Sequence, residues 1–173
     1  MKKTFIFALL AINLLLSACG GGGGGNSSGK DTIQTPVLTK AIIKLSTVGL
    51  ANAQIGGVDA TLSLPAGVTV KSMYNPPETD AGVVVASGQA ASSSTIIAVS
   101  TPASGSSRAL VRLIIVNSSQ NGISIGEFAT ITCALTSGVN PTSSDFTIQS
   151  SAASDLNGVA ITSVSVAASA ILQ

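Results

Sequence analysis

From Val58 to Leu64, apolar and polar side chains alternate without a break. The run from Phe128 to Leu135 repeats the pattern and places Ala, Ile, Cys and Leu on one face. Successive side chains of a strand point to opposite faces, so both runs predict strands with one buried face. No stretch after Val37 sustains the 3.6-residue period of a long amphipathic helix. The chain is therefore predicted to be all-β.

Short apolar or β-branched runs predict seven more strands: Ala41–Leu45, Val68–Ser72, Gly82–Ala86, Thr95–Val99, Ala109–Val116, Phe146–Ser150 and Ile161–Val166. Turn-forming residues separate them, at Pro65-Ala66-Gly67, Asn75-Pro76-Pro77, Asn121-Gly122, Asn140-Pro141 and Asn157-Gly158. About nine short strands joined by turns predict an antiparallel β-sandwich.

Composition excludes several functions. The chain has no His, which rules out a Ser-His-Asp triad, a Cys-His pair and an imidazole metal site. Eight Lys and Arg residues give no basic surface for nucleic acid. The acidic residues considered for catalysis are Asp59, Glu78, Asp80, Glu127, Asp145 and Asp155. They are scattered along the sequence, and Glu127 is expected to start a strand and face solvent. We therefore predict no catalytic and no metal-binding residues, with a glycosidase as a minor alternative that needs two facing carboxylates.

The N-terminus has the features of an export signal. Lys2 and Lys3 precede an apolar run from Phe5 to Leu16, which is shorter than the about 20 residues of a spanning helix. The run ends in Leu16-Ser17-Ala18-Cys19, which resembles the lipobox of bacterial lipoproteins. The resemblance implies a signal peptide over residues 1–18, with Leu16, Ser17 and Ala18 in the peptidase motif, and a covalent lipid on Cys19. The alternative is a plain secretory signal that happens to contain a Cys.

Residues 19–37 are predicted to be a flexible tether. Gly20 to Gly25 is an unbroken glycine run, and a chain of this length and composition spans about 23 Å. A phosphate-binding loop is the alternative, but it needs a preceding strand and a following helix. Gly20 stands where an Asp would imply retention in the inner membrane. The lipoprotein pattern therefore implies the outer membrane of a cell envelope, facing the periplasm or the cell surface.

Two residues within the strands have a possible chemical role. Cys133 lies on the apolar side of its run, so we predict a buried small hydrophobe; a reactive thiol would need a base or a cation beside it. Arg112 shares a face with Leu110 and Ile114, which predicts a position at a sheet edge or a side chain that extends to solvent.

Asp155-Leu156-Asn157-Gly158 has two interpretations. Asp155 and Asn157 have the oxygen spacing of a calcium-loop fragment, but the later acidic ligand of a complete loop is missing. Asn157-Gly158 is also a strong hairpin signal, and we favour the turn. No cofactor is predicted apart from the lipid on Cys19, with calcium as the alternative.

The order of four segments resembles the cohesin domain, which belongs to the jelly-roll sandwiches that include carbohydrate-binding modules. The segments are residues 54–65, 109–116, 126–132 and 146–164. The resemblance spans about residues 38–169 and implies a cohesin-like domain over residues 38–173. In that family the segment with Asp155 and Asn157 turns the final hairpin.

The resemblance implies non-catalytic recognition of a dockerin-like protein or a polysaccharide. Binding would use a flat sheet face through small apolar contacts and hydroxyl hydrogen bonds. A sugar platform needs exposed aromatic rings, and in the mature chain only Tyr74 lies outside the apolar runs. The alternative function is a structural subunit of an envelope or surface assembly, paired through its strand edges.

Overall fold

The computed structural model describes residues 37–50, 52–71 and 82–173. The predicted signal peptide, Cys19, the tether before Val37, and Tyr74 lie outside these residues. Nine strands and two short 3₁₀ helices are described: β1 (Lys40–Val48), β2 (Gly57–Ser63), β3 (Val68–Thr69), β4 (Val84–Ala86), η1 (Gly88–Ala90), β5 (Ser94–Thr101), β6 (Leu110–Asn117), β7 (Gly126–Leu135), η2 (Ser143–Asp145), β8 (Thr147–Ser154) and β9 (Ser165–Leu172). None of the helices described in these ranges is long and apolar enough to cross a membrane.

The strands form two antiparallel sheets. The four-stranded sheet has the order β5-β6-β2-β8. In the five-stranded sheet β1 lies between β7 and β9, and the short strands β3 and β4 share the other edge of β7. The predicted all-β sandwich of about nine strands is confirmed.

A single hydrophobic core lies between the sheets. The side chains that were predicted to point inward are all buried, both in β2 with the adjoining Leu64 and in β7. They pack against the inner faces of β1 and β6, which bury Ile43, Leu45, Leu113 and Ile115 completely. Clear hydropathy contrast between alternate positions therefore identified the buried faces correctly.

The prediction for the C-terminal strands was partly wrong. β8 continues past Ser150 to Ser154, and Ile161–Val164 forms a turn instead of a strand. The last strand begins at Ser165, and small residues occupy both of its faces: Ala167 and Ser169 on the exposed face differ little in hydropathy from Ala168 and Ala170 on the other. The turn after β8 makes only one bridge, Ser154 to Ala160, before the chain crosses to the other sheet. The resemblance implied that this turn joins the two paired strands of a final hairpin. That implication is wrong, because β8 and β9 lie in different sheets.

Ser63 is the one buried side chain among the described residues whose polar atom has no hydrogen-bond partner. An unpaired buried hydroxyl costs about 1–3 kcal/mol of desolvation. We therefore expect Ser63→Ala to raise the free energy of unfolding by about 1 kcal/mol. Urea unfolding followed by circular dichroism would measure this, and an equal loss of stability would show that the hydroxyl is satisfied.

Candidate binding face

The outward face of the four-stranded sheet, hereafter the four-strand face, has two chemically different halves. The strand register places three rows of residues across β5, β6, β2 and β8: Thr95-Val116-Gly57-Ser154, Ile97-Ile114-Asp59-Ala152 and Val99-Arg112-Thr61-Ser150. The β5 and β6 half is mainly aliphatic. The β2 and β8 half carries hydroxyl groups and small side chains.

The aliphatic half exposes four branched side chains. Ile97 and Val116 are 59% and 56% exposed, and Val99 and Ile114 are exposed to a smaller extent. Ile97 lies directly opposite Ile114 in the β5–β6 register, so the side chains form one cluster. Each strand already buries its other face in the core. The cluster is thus additional apolar surface that the sandwich leaves in contact with water.

An ion pair lies in the middle of the four-strand face. Arg112 donates from Nε to Oδ1 of Asp59 at 3.1 Å and from Nη2 to Oδ2 at 2.6 Å. Hydrogen bonding to Asp59 in this bidentate pair raises the pKa of Arg112, and the pair carries no net charge. Of the two predicted positions of Arg112, the sheet edge is wrong, because β6 lies between β5 and β2, whereas the solvent-exposed side chain is correct, since 60% of it is exposed. The guanidinium group lies along the sheet surface toward Asp59.

Two shallow hollows flank Asp59. One has a volume of about 370 Å³ and is lined by Thr61, Arg112, Ser150 and their neighbours. The other, of about 250 Å³, runs along Ile114, Val116 and Ser154. The face therefore offers a hydroxyl-rich hollow and an aliphatic hollow side by side. It can form apolar contacts and hydrogen bonds with the same partner.

Asp155 and Asn157 form the turn that the Asn-Gly signal predicted. Oδ1 of Asp155 accepts hydrogen bonds from the backbone N–H groups of Asn157 and Val159, both at 2.8 Å. The backbone N–H of Gly158 donates to the Asp155 carbonyl at 3.1 Å. One carboxylate oxygen is thus committed to closing the turn. Among the described residues, no cluster of three or more Cys, Asp or Glu side chains lies close enough to hold a metal ion.

Glu127 starts β7 as predicted, but its side chain is only 26% exposed. Its Oε2 accepts a hydrogen bond from Nζ of Lys44 at 2.8 Å, and its Oε1 accepts one from Oγ of Ser87 at 2.8 Å. Asp145, at the end of η2, accepts from the backbone N–H of Thr142 at 2.7 Å. Each of these carboxylates holds local structure together. Glu78 and Asp80 lie outside the described residues.

These contacts predict a loss of stability in acid. Hydrogen bonding from Lys44 lowers the pKa of Glu127 below its ordinary 4.5, and the Thr142 backbone lowers the pKa of Asp145 below its ordinary 3.8. In this range the unfolded chain binds more protons than the folded chain. The stabilisation is therefore complete above about pH 4.5 and is lost as the pH falls through the folded values.

Urea unfolding at neutral pH and at about pH 3 would measure this loss. Glu127→Gln is expected to be less stable than the wild type at neutral pH and to lose less stability on acidification. Equal acid losses in both proteins would show that Glu127 is not responsible.

Cys133 is buried among the core side chains of β7, with 1% of its surface exposed. Burial raises the pKa of its thiol to about 12, so the nucleophilic thiolate is scarce at neutral pH. This agrees with the prediction of a small packed hydrophobe.

We expect iodoacetamide to leave Cys133 unmodified in the native protein and to alkylate it fully in concentrated guanidinium chloride. Peptide mass mapping would follow the modification at this residue. Alkylation of the native protein at the rate of a free thiol would contradict the packing.

The location of the four-strand face was not predicted, although its signal is present in the sequence. Leu110–Val116 is apolar on both faces of a strand, with Arg112 as the only polar interruption. In an antiparallel sandwich only one of these faces is covered, so the other is left exposed.

Comparison of the chain with protein-family models, curated proteins and solved structures finds no match.

Proposed function

We propose that this chain is a membrane-anchored lipoprotein of the cell envelope that presents a non-catalytic binding module. The four-strand face is its recognition surface, and a protein is its partner. The observation that carries the proposal is the exposed cluster of Ile97, Val99, Ile114 and Val116 beside the neutral Arg112–Asp59 pair. Interface cores are typically apolar and poor in unpaired charge, which is the composition of this face.

The chemistry of the face favours a protein over a polysaccharide. Sugar platforms stack pyranose rings on exposed aromatic side chains. The two aromatic residues of the described chain, Phe128 and Phe146, are both buried in the core. Aliphatic side chains on a rigid sheet instead suit the apolar side chains of a partner protein. This use of a sheet face is also what the resemblance to cohesins implies for a dockerin-like partner.

The proposed anchor rests on the N-terminal sequence. Leu16-Ser17-Ala18-Cys19 follows a basic and apolar leader, and an acylated Cys19 would hold the protein at the membrane. Radiolabelled palmitate fed to cells that express the full chain is expected to label the protein, and Cys19→Ser is expected to abolish the label. Labelling of the Cys19→Ser protein would refute lipidation at this residue.

Capture from the envelope and secreted fractions of the source cells tests the recognition surface. The full chain with Cys19→Ser serves as bait, beside the same chain carrying Ile97→Glu and Ile114→Glu. Both substituted side chains are exposed, so the fold is expected to persist, which circular dichroism would verify. A partner that binds the bait stoichiometrically and is lost with the double substitution would support the proposal.

Ile171→Glu is the matched control, because it places the same charge on an exposed Ile of β9 in the other sheet. Equal loss of the partner with this control would refute a specific role of the four-strand face. Pretreatment of the extract with protease should abolish capture, whereas retention of protease-resistant glycan would favour a polysaccharide. Light scattering that shows a mass rising with concentration, and falling to a monomer with Ile97→Glu, would instead favour the alternative of an assembly subunit.

A further inference from the structure

A second site lies at one end of the sandwich, away from the ion pair on the four-strand face. A cavity of about 530 Å³, hereafter the end cavity, opens between the segment that follows β2 and the hairpin that joins β5 to β6. Its lining comes from residues 64–70, 100–103 and 105–110. This volume lies within the range of about 300–1,000 Å³ that is usual for small-molecule sites.

The walls of the end cavity are mainly apolar. Leu64 and Val68 are buried core residues, while Val70 and Leu110 are half-buried. Pro102 and Ala103 extend the apolar lining to the exposed hairpin. The core is therefore continuous with a surface opening, which favours an apolar body as the bound group.

One exposed cation also lines the end cavity. Arg108 belongs to the hairpin that lines it, and no hydrogen bond or ion pair joins its side chain to another described residue. Asp145 is the acidic group whose ionisation Arg108 influences, and that carboxylate is already bonded to Thr142. The N–H donors of the Arg108 guanidinium group are therefore available to bind an anionic headgroup.

The end cavity lies at the end of the sandwich where the chain enters it. Lys40, at the start of β1, is paired with Ala134, which is also paired with Thr69 of the cavity lining. If Cys19 is acylated as proposed, the domain is held close to a membrane surface. Acyl chains with anionic headgroups would then be abundant near the cavity.

We propose that the end cavity binds one acyl chain of a fatty acid or of a lipid with an anionic headgroup. The acyl chain would lie against Leu64, Val68 and Leu110, and the headgroup would bind Arg108. The ligand chemistry follows from the cavity, and only the nearby supply of lipid rests on the proposed function. The site is separate from the four-strand face, so its failure would leave the proposed recognition surface untouched.

Calorimetric titration of the full chain carrying Cys19→Ser tests the site, with decanoate and decyltrimethylammonium as probes of equal chain length and opposite charge. Decanoate is expected to bind more tightly than the cation. Arg108→Gln is expected to weaken decanoate about tenfold, the range of a charge-assisted hydrogen bond, without weakening the cation. Lys44→Gln is the matched charge control and should leave decanoate binding unchanged, because Lys44 pairs with Glu127 outside the cavity.

Ala103→Trp tests the apolar lining. Ala103 is exposed, so the larger side chain is expected to fit without unfolding the domain and to weaken both probes at least tenfold. Ala167→Trp on β9 is its matched control. Equal binding of the two probes, or decanoate binding that neither Arg108→Gln nor Ala103→Trp weakens, would overturn the proposal.

Incubation with phosphatidylglycerol vesicles, followed by native mass spectrometry, distinguishes the sources of the ligand. A bound phospholipid would identify the bilayer as a source, and decanoate binding without phospholipid uptake would identify free fatty acids. Binding of neither would overturn the proposal.

Discussion

Phe128→Ala is expected to lower the free energy of unfolding by about 3–5 kcal/mol. Phe128 is fully buried and is among the largest side chains of the core. It lies where the β1–β7 register shifts between Leu45 and Ser46, so it is the extra residue of a bulge. The bulge allows Phe128 and the adjacent Ala129 both to be buried, and truncation of the ring would leave a cavity between the sheets.

Phe128→Leu separates the effect of lost volume from the effect of the bulge. Leucine keeps most of the apolar contact, so a smaller loss of about 1–2 kcal/mol is expected. Urea unfolding followed by far-UV circular dichroism measures both variants. A loss below about 1 kcal/mol for Phe128→Ala would mean that the ring does not fill the core.

Gly122→Ala is expected to lower the free energy of unfolding by about 2–4 kcal/mol. This loss combines the strain of a side chain at positive φ with a steric clash. Gly122 has φ = +66°, a conformation that side chains disfavour. A Cβ at this position would lie 2.7 Å from the carbonyl oxygen of Ile55. That oxygen accepts a 2.7 Å hydrogen bond from Ile123, and both isoleucines are fully buried. The clash would therefore disturb a bridge at the core.

Gly158→Ala is the matched control. Gly158 also follows an Asn and has φ = +80°, but a Cβ there would meet no atom within 4 Å. Only the strain of a side chain at positive φ remains, so the free energy of unfolding is expected to fall by about 1 kcal/mol. Thermal and urea unfolding of the two variants would measure the difference. Equal losses would show that the contact with Ile55 is relieved at little cost.

These two glycines illustrate what sequence could and could not predict. Asn121-Gly122 and Asn157-Gly158 both indicate turns, and both are turns. Their different sensitivity depends on Ile55, which is far from Gly122 in sequence and meets it only in the folded sandwich. Local chemistry predicts a turn, whereas its surroundings depend on how distant strands pair.

The same distinction applies to strands and faces. β2 was predictable because its alternate side chains differ strongly in hydropathy, and β9 was missed because small residues, Ser and Ala on one face and Ala on the other, give little contrast. The four-strand face required the order β5-β6-β2-β8, which places Arg112 beside Asp59 and Ile97 opposite Ile114. Hydropathy and turn patterns in the sequence indicated each of these four strands, but they did not indicate the order in which the strands pair to form the face.

The position of β1 between β7 and β9 has a consequence for the order of folding. Synthesis from the N-terminus delivers β1 first, but both of its neighbours are among the last strands to be made. The five-stranded sheet cannot close until they emerge, and pairing across such long loops is slow. Until then β1 is an unpaired apolar segment that another nascent copy can pair with. Yield of the folded protein should therefore fall as the rate of synthesis rises in an expressing cell, and holding chaperones should restore it.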